Sequence, residues 1–270
     1  MISKTFIKKF LGNYYLIILI TLVAAGLRLY NFRPTLEFLG DQGRDAIIVR
    51  NFLEHLDPML VGPTTSVGKI QLGPLYYYFM APWLWLANYD PIGPALGVAI
   101  LGIITVPILY LFLKKTSNER VAIIVSVLYA LSAVIIGNTR SSWNPNPMPL
   151  VVILLLWTLY KVFEEKQYKH ILFAILLWGI ALQLHYMAVF LGPLLVFIFF
   201  LTYKENKNDW VHINKYLYVG SLAFLVLLTP LILFDFWHEF LNTRGIIEFF
   251  LKGHHSPHNI IITLKGAEGR

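Results

Sequence analysis

The feature that most constrains the fold is a series of long apolar runs separated by short polar stretches. A helix that crosses a bilayer needs about 20 mostly apolar residues, and runs of roughly this length recur along the 270-residue chain. With 57% hydrophobic and 14% charged residues and a mean hydropathy of +0.63, the chain lacks the polar surface of a soluble domain. We therefore expect an all-α, polytopic membrane bundle that forms a single membrane domain over residues 1–270.

The apolar runs predict seven spans. Their expected positions are residues 14–29, 94–113, 120–137, 148–163, 170–184, 188–203 and 214–234. The first run follows Lys4, Lys8 and Lys9 and also has the pattern of a cleaved signal peptide. The apolar runs that follow it favour an uncleaved first span.

The apolar segment 72–87 is left out of the span count. It is short, contains two prolines and is rich in Tyr and Trp, which prefer the headgroup region. If it crossed the membrane, the lysine-bearing stretches 114–120, 164–170 and 204–210 would lie outside, against the positive-inside rule. We expect it to dip into the membrane or to lie along its surface.

This topology places an external loop, residues 31–93, and the stretches 138–147, 182–187 and 235–245 on the extracytoplasmic face. We therefore expect the working face of a multi-pass cell-membrane protein there. The formal charge of +7 is assigned to loops that obey the positive-inside rule rather than to nucleic-acid binding. The chain has no cysteine, which excludes disulfides, thiolate nucleophiles and Cys-ligated zinc.

The first external loop opens with "GDQGRDA". From Asp41 to Leu56 apolar residues recur at three- and four-residue spacing, which predicts an amphipathic surface helix. Asp41 and Asp45 then share one face, and their repulsion requires compensation by Arg44, a bound cation or a shared proton. An alternative role for Asp41 is an ordinary helix cap.

Beyond this helix a Gly/Pro/Thr/Ser-rich loop leads into "GPLYYYF". A long external loop of this kind is typically functional. Its tyrosines could stack on a sugar ring or anchor the segment at the membrane interface. The basic side chains Arg44, Arg50 and Lys69 could hold a phosphate at headgroup depth.

Four motifs together resemble a known family. "GDQGRDA", "GPLYYY", "NPNPMP" and "HYMAVFLGP" are similar to motifs of the GT-C superfamily of integral-membrane glycosyltransferases, specifically its ArnT-like and protein-mannosyltransferase-like (family 39) group. The resemblance implies transfer of a sugar from a polyprenyl-phosphate donor to an acceptor on the extracytoplasmic face. Family members are usually longer, so the chain resembles their amino-terminal module without the carboxy-terminal one.

The resemblance also assigns site residues. Asp41 matches the catalytic acid, Asp45 supplies a second carboxylate where relatives have one beside the first, and Arg44 matches an arginine. His185 stands where some relatives place a lysine near the donor phosphate. Asn144 stands where relatives have an acid before a proline. The resemblance therefore leaves open whether the reaction uses a divalent cation.

The expected reaction is an inverting displacement at the anomeric carbon. Asp41, held near membrane depth and partly desolvated, would act as the base. The donor phosphate would be bound by Arg44, Lys69, Arg140 and His185, and the substrate by Tyr76, Tyr77, Asn144 and Tyr186. His185 is equally well explained as an interfacial residue bonded to a backbone carbonyl.

Two other functions remain open. A lipid or glycan transporter or flippase would place ionisable groups near mid-membrane, where the runs hold almost none. A catalytically inactive scaffold of the same fold is the other alternative. The stretch with Asp235, His238, Glu239 and Arg244 is interpreted as a solvated helix start, and "HHSPH" at residues 254–258 as incidental.

Overall fold

The computed structural model describes residues 4–65 and 70–252, and this part of the chain is helical apart from turns and one short hairpin. The α-helices are α1 (Lys4–Leu29), α2 (Gly40–His55), α3 (Leu75–Leu86), α4 (Ile92–Thr116), α5 (Glu119–Leu131), α6 (Ala133–Asn138), α7 (Met148–Phe163), α8 (His170–Leu184), α9 (Leu191–Glu205), α10 (Trp210–Trp237) and α11 (Leu241–Lys252). Short 3-10 helices cover Arg33–Thr35, Tyr186–Phe190 and Lys207–Asp209.

Among the described residues, three helical segments are long and apolar enough to cross a membrane. They are Ile92–Thr116, Tyr186–Glu205 and Lys207–Trp237. Shorter apolar helices occupy Tyr14–Leu29, Met148–Phe163 and His170–Leu184. These segments agree with six of the expected spans and support a membrane helical bundle, while the count of seven is not confirmed.

The expected span 120–137 is not one continuous helix. It divides at Ser132 into α5, of 13 residues, and α6, of 6 residues. Near the break, the fully buried Arg28 donates to the carbonyls of Tyr129 and Ala130 at 3.4 and 3.1 Å. A cation at the C-terminal end of a helix is stabilised by the helix dipole, so Arg28 connects the ends of α1 and α5. Hydropathy alone does not reveal this break.

Helix α3 is short, as its composition predicts. Its 12 residues extend about 18 Å, which is too short for the roughly 30 Å hydrocarbon core of a bilayer. It packs against α2, α4 and α8 through a core that includes Val49, Met80, Leu84 and Val98. This packing fixes the position of α2, which carries the acidic motif.

The loop between α2 and α3 forms a hairpin, with residues 62–65 opposite residues 70–72. Gly62 N donates to Leu72 O at 2.8 Å, and Leu72 N donates to Pro63 O at 3.0 Å. A Cβ on Gly62 would lie 2.2 Å from the carbonyl oxygen of Gly73, so this close approach requires glycine. Asn242, at the start of α11, accepts from Gln71 N at 2.8 Å and thereby ties the hairpin to the last helix.

Candidate functional site

The first turn of α2 brings together the charged residues of the "GDQGRDA" motif. Arg44 Nη1 donates to Asp41 Oδ1 at 2.9 Å, and Arg44 Nε and Nη2 donate to Asp45 Oδ1 at 2.9 and 2.8 Å. Asp41 and Asp45 thus share one guanidinium, which is one of the three compensations expected from the sequence. We call Asp41, Arg44 and Asp45 the α2 charge cluster.

Asp41 does not act as the helix cap. The backbone N–H at the mouth of α2 belongs to Leu39, and it is Gln42 Oε1 that accepts from it at 2.9 Å. The Asp41 carboxylate instead bonds to Arg44. The capping interpretation of Asp41 is therefore wrong, because a glutamine three residues into the motif has taken that role.

Asp45 is the desolvated member of the cluster. Its side chain is 1% exposed, and its Oδ1 also accepts a hydrogen bond from the Tyr77 hydroxyl at 3.0 Å. Its Oδ2 is buried and has no hydrogen-bond partner among the residues that the structure describes. Burial raises the pKa of the Asp45 carboxyl, and the bonds from Arg44 and Tyr77 offset this shift only in part.

The exposure of Asp41 differs from the expectation. The sequence interpretation made Asp41 the partly desolvated carboxylate, but its side chain is 59% exposed. The difference arises because α2 turns the face that carries Asp45 and Val49 toward α3, and Asp41 lies at the edge of that face. Asp41 is accordingly the carboxylate of the pair that is open to solvent.

The predicted sugar-stacking role of Tyr76 and Tyr77 does not agree with their burial. Tyr76 is 0% and Tyr77 2% exposed, so neither ring is open to a ligand. The Tyr76 hydroxyl lies 2.9 Å from Ser142 Oγ, while Tyr77 bonds to Asp45. Burial raises the pKa of both tyrosines, so both hydroxyls keep their protons. Tyr76 and Tyr77 thus position Ser142 and Asp45 by hydrogen bonding.

Arg140 was predicted to bind the donor phosphate, but its guanidinium has other partners. It donates to Leu27 O and Asn31 O, both at 3.2 Å, and to the Thr35 hydroxyl. It also lies over the ring of Phe32, with 5.3 Å between the guanidinium carbon and the ring centroid. Arg140 therefore closes the C-terminal end of α1.

Asn144, a predicted substrate ligand, is also used internally. It is buried, and its Nδ2 donates to Leu184 O at 2.6 Å, which joins the loop before α7 to the end of α8. His185 follows directly, half-buried, with its Nδ1 accepting from Met187 N at 3.3 Å. Burial lowers the pKa of the His185 ring. Tyr186 stacks on that ring at 4.7 Å between centroids, and both residues remain predictions for substrate contact.

Other predicted positions have mixed outcomes. Lys69 and the stretch 254–258 lie outside the described residues. Among residues 4–65 and 70–252, no group of three or more His, Asp or Glu side chains could hold a metal ion. Asp235 accepts from Asn242 N at 2.7 Å and from Thr243 N at 3.1 Å at the start of α11, in agreement with the interpretation of a helix start.

Sequence reasoning missed several residues that hold the site together. Gln42 Nε2 donates to Ser141 Oγ at 3.1 Å, connecting α2 to the loop before α7. Gln183 Oε1 accepts from Leu75 N at 3.3 Å, connecting α8 to α3. The only sequence signal for Ser141 and Ser142 is their place within the polar stretch 138–147. Single polar residues of this kind carry no periodicity, so their partners appear only in three dimensions.

Comparison with known proteins gave one family match. The model of the family described as dolichyl-phosphate-mannose-protein mannosyltransferase matches residues 71–234, more than half of the chain. Comparisons with curated proteins and with solved structures found no match. The matched region contains Tyr77, Ser142 and His185 but begins after the α2 charge cluster.

Proposed function

Because the chain belongs to the dolichyl-phosphate-mannose-protein mannosyltransferase family, a family of membrane glycosyltransferases of the GT-C type, we propose that it transfers a hexose or pentose from a polyprenyl-phosphate donor to an acceptor hydroxyl. We place the reaction on the extracytoplasmic face, at the α2 charge cluster. Membrane lipids surround the bundle, and the lipid-linked sugar reaches the cluster from the bilayer.

The observation that carries this proposal is that Arg44 bonds two carboxylates, of which one is exposed and the other is buried. Asp41 is 59% exposed and Asp45 1% exposed, yet Arg44 bonds both. Asp45 fixes the guanidinium through two N–H groups, which leaves further N–H groups of Arg44 for an incoming phosphate. Asp41 remains open to an acceptor.

In the proposed reaction the acceptor oxygen attacks the anomeric carbon, and the bond between that carbon and the phosphate oxygen breaks. The bonding electron pair leaves with the polyprenyl phosphate, and Arg44 stabilises the charge on it. The acceptor proton passes to the Asp41 carboxylate. Direct displacement inverts the anomeric configuration, and it needs no separate nucleophile.

Asp45 is a positioning residue in this scheme. Its negative charge holds Arg44 in place, and the Tyr77 hydroxyl helps to keep that charge on a buried group. His185, at the end of α8, is proposed as a second contact for the donor phosphate. Its neutral ring, favoured by the lowered pKa, would act there by hydrogen bonding rather than by charge.

The test is transfer by purified protein in liposomes, with a polyprenyl-phosphate-linked sugar as donor. Asp41→Asn is expected to lower the transfer rate about 10²- to 10⁴-fold, the range for loss of a general base. The variant keeps the size of the side chain and can still accept a bond from Arg44, so its unfolding temperature should stay close to that of the wild type.

Glu37→Gln is the matched control, because Glu37 is an exposed carboxylate shortly before α2. It should leave the rate unchanged. If Asp41→Asn transferred sugar as fast as Glu37→Gln, Asp41 would not be the base.

A further inference from the structure

A second feature of α2 is a cavity beside its C-terminal half. It has a volume of about 430 Å³, within the range of about 300–1,000 Å³ that is typical of small-molecule sites. Its lining residues are Ile48, Asn51, Phe52, His55, Asp57 and Met59. This set combines apolar side chains with three polar ones, and none of them belongs to the α2 charge cluster.

The cavity lies on the same stripe of α2 as the charge cluster. Asp41, Arg44, Ile48, Asn51 and His55 follow one another at intervals of three or four residues, which places them on one face of a helix. Ile48 is four residues after Arg44, and the axial separation is about 6 Å. The near end of the cavity, at Ile48, therefore lies about one helical turn from Arg44, and His55 lies about 16 Å from Arg44 along the axis.

The floor of the cavity is held by α3. The Tyr78 hydroxyl accepts from Met59 N at 3.0 Å and donates to Met59 O at 3.1 Å. The Phe52 and Tyr78 rings meet edge to face, 5.4 Å between centroids. Leu56 ends α2 with a left-handed backbone, φ 60°, and turns the chain so that Asp57 and Met59 line the cavity. The bonds with Tyr78 fix Met59, and the cavity is open to solvent on the side of Asn51, His55 and Asp57.

The polar atoms of the cavity are mainly acceptors. His55 Nδ1 lies 3.0 Å from Asn51 O. A carbonyl oxygen only accepts, so Nδ1 donates to it and Nε2 takes no part in that bond. The exposed carboxylate of Asp57 also accepts. Ligands that suit this lining have O–H donors for Asp57 and an apolar face for Phe52 and Met59.

We propose that the cavity beside α2 is an acceptor subsite that binds one unit of an oligosaccharide. Further units of the acceptor extend along α2 from Ile48 toward Asp41, about 10 Å away along the helix axis. The assignment rests on the proposed transferase function. A saccharide fits because its hydroxyls pair with Asp57 and His55 while its C–H face contacts Phe52. A peptide acceptor would need main-chain partners along an extended edge, whereas this lining is compact and consists of side chains.

Binding is tested first, without catalysis. Methyl α-mannopyranoside serves as the probe, and saturation-transfer NMR measures its Kd on the purified Asp41→Asn protein. Adding Asp57→Asn together with His55→Leu should raise the Kd about tenfold, the effect of losing a charge-assisted bond. Adding Asn51→Trp, an exposed position where the new ring would fill the cavity, should abolish binding.

Glu54→Gln is the control, because Glu54 lies on α2 beside the cavity but does not line it. It should leave the Kd unchanged. A Kd that stays the same in Asn51→Trp, or displacement of the probe by a serine-containing peptide but by no saccharide, would overturn the subsite.

The transfer assay then separates the two proposals. With oligosaccharide acceptors, the cavity variants should raise the acceptor KM about tenfold and leave the donor KM and kcat unchanged. An unchanged acceptor KM in these variants would contradict the subsite alone. Absence of any transfer by the wild type, with cavity-dependent binding intact, would contradict the proposed function.

Discussion

Two clusters at opposite ends of the bundle have the same three kinds of group and different surroundings. In one, Arg44 contacts Asp45 at 2.8 Å, and Tyr77 donates to the same carboxylate. In the other, Lys114 contacts Glu119 at 2.8 Å, and Tyr110 donates to that carboxylate. Asp45 is 1% exposed and Glu119 53%, so equal distances do not imply equal energetics.

The two clusters differ in what their ion pairs contribute to stability. An exposed ion pair contributes about 0–1 kcal/mol and is tolerated anywhere on a polar surface. A buried one costs several kcal/mol of desolvation, and an apolar replacement is often at least as stable. We propose that the buried Asp45 serves function rather than stability, because it fixes Arg44 next to the exposed carboxylate of Asp41.

The largest expected difference follows from removing the cation of each cluster. Arg44→Ala leaves the buried Asp45 charge without its main partner and should lower the free energy of unfolding by about 3 kcal/mol. Lys114→Ala should lower it by less than about 1 kcal/mol. Denaturant titration of both variants in the same detergent measures the difference. Equal losses would mean that Asp45 is not held in the environment described here.

A smaller effect is expected when each tyrosine loses its hydroxyl. Tyr77→Phe and Tyr110→Phe should each cost about 1 kcal/mol of unfolding free energy. Only Tyr77→Phe should alter the pH profile of transfer. The Tyr77 bond lowers the pKa of Asp45 against the larger effect of burial, so removing it raises that pKa further.

The direction of the pH shift follows from the role of Asp45. Its ionised form holds Arg44, so activity is lost as the pH falls through the pKa of Asp45. A higher pKa therefore moves the acid limb of the profile to higher pH in Tyr77→Phe, and Tyr110→Phe keeps the wild-type limb. A shift to lower pH, or the same shift in both variants, would separate Asp45 from catalysis.

The smallest effect concerns salt. Solvent ions screen exposed charges and reach buried pairs poorly. Raising NaCl from about 0.05 to 0.5 M should remove a few tenths of a kcal/mol of the Lys114–Glu119 coupling, measured by a double-mutant cycle. The Arg44–Asp45 coupling should change less. The reverse order would indicate that water reaches Asp45.

Much of the fold follows from hydrophobic pattern alone. Helices α7 and α8 begin and end where the apolar runs 148–163 and 170–184 do, and the exclusion of 72–87 as a span agrees with the short α3. The break at Ser132 was missed because its neighbours on both sides are apolar. At the break, Ser132 caps the start of α6, and Arg28, about 100 residues away in sequence, bonds carbonyls at the end of α5.

The proximity of Asp41, Arg44 and Asp45 was predictable from the sequence, and their environments were not. The four-residue spacing places Asp41 and Asp45 on one face and Arg44 between them. Which acid is buried depends on where Tyr77 packs, and sequence spacing carries no such information. Asn144 and Arg140 were expected to bind substrate because polar residues in external loops are available for binding. In the structure both side chains instead donate hydrogen bonds to backbone carbonyls.

The most direct test of the central claim is the fate of the donor in liposomes that contain purified wild-type protein, a polyprenyl-phosphate-linked sugar and a saccharide acceptor. Released polyprenyl phosphate and glycosylated acceptor are measured together. The account predicts that the two products appear in equal amounts and that both are lost in Asp41→Asn. Movement of the intact donor between leaflets with no cleavage would contradict it and would favour a flippase.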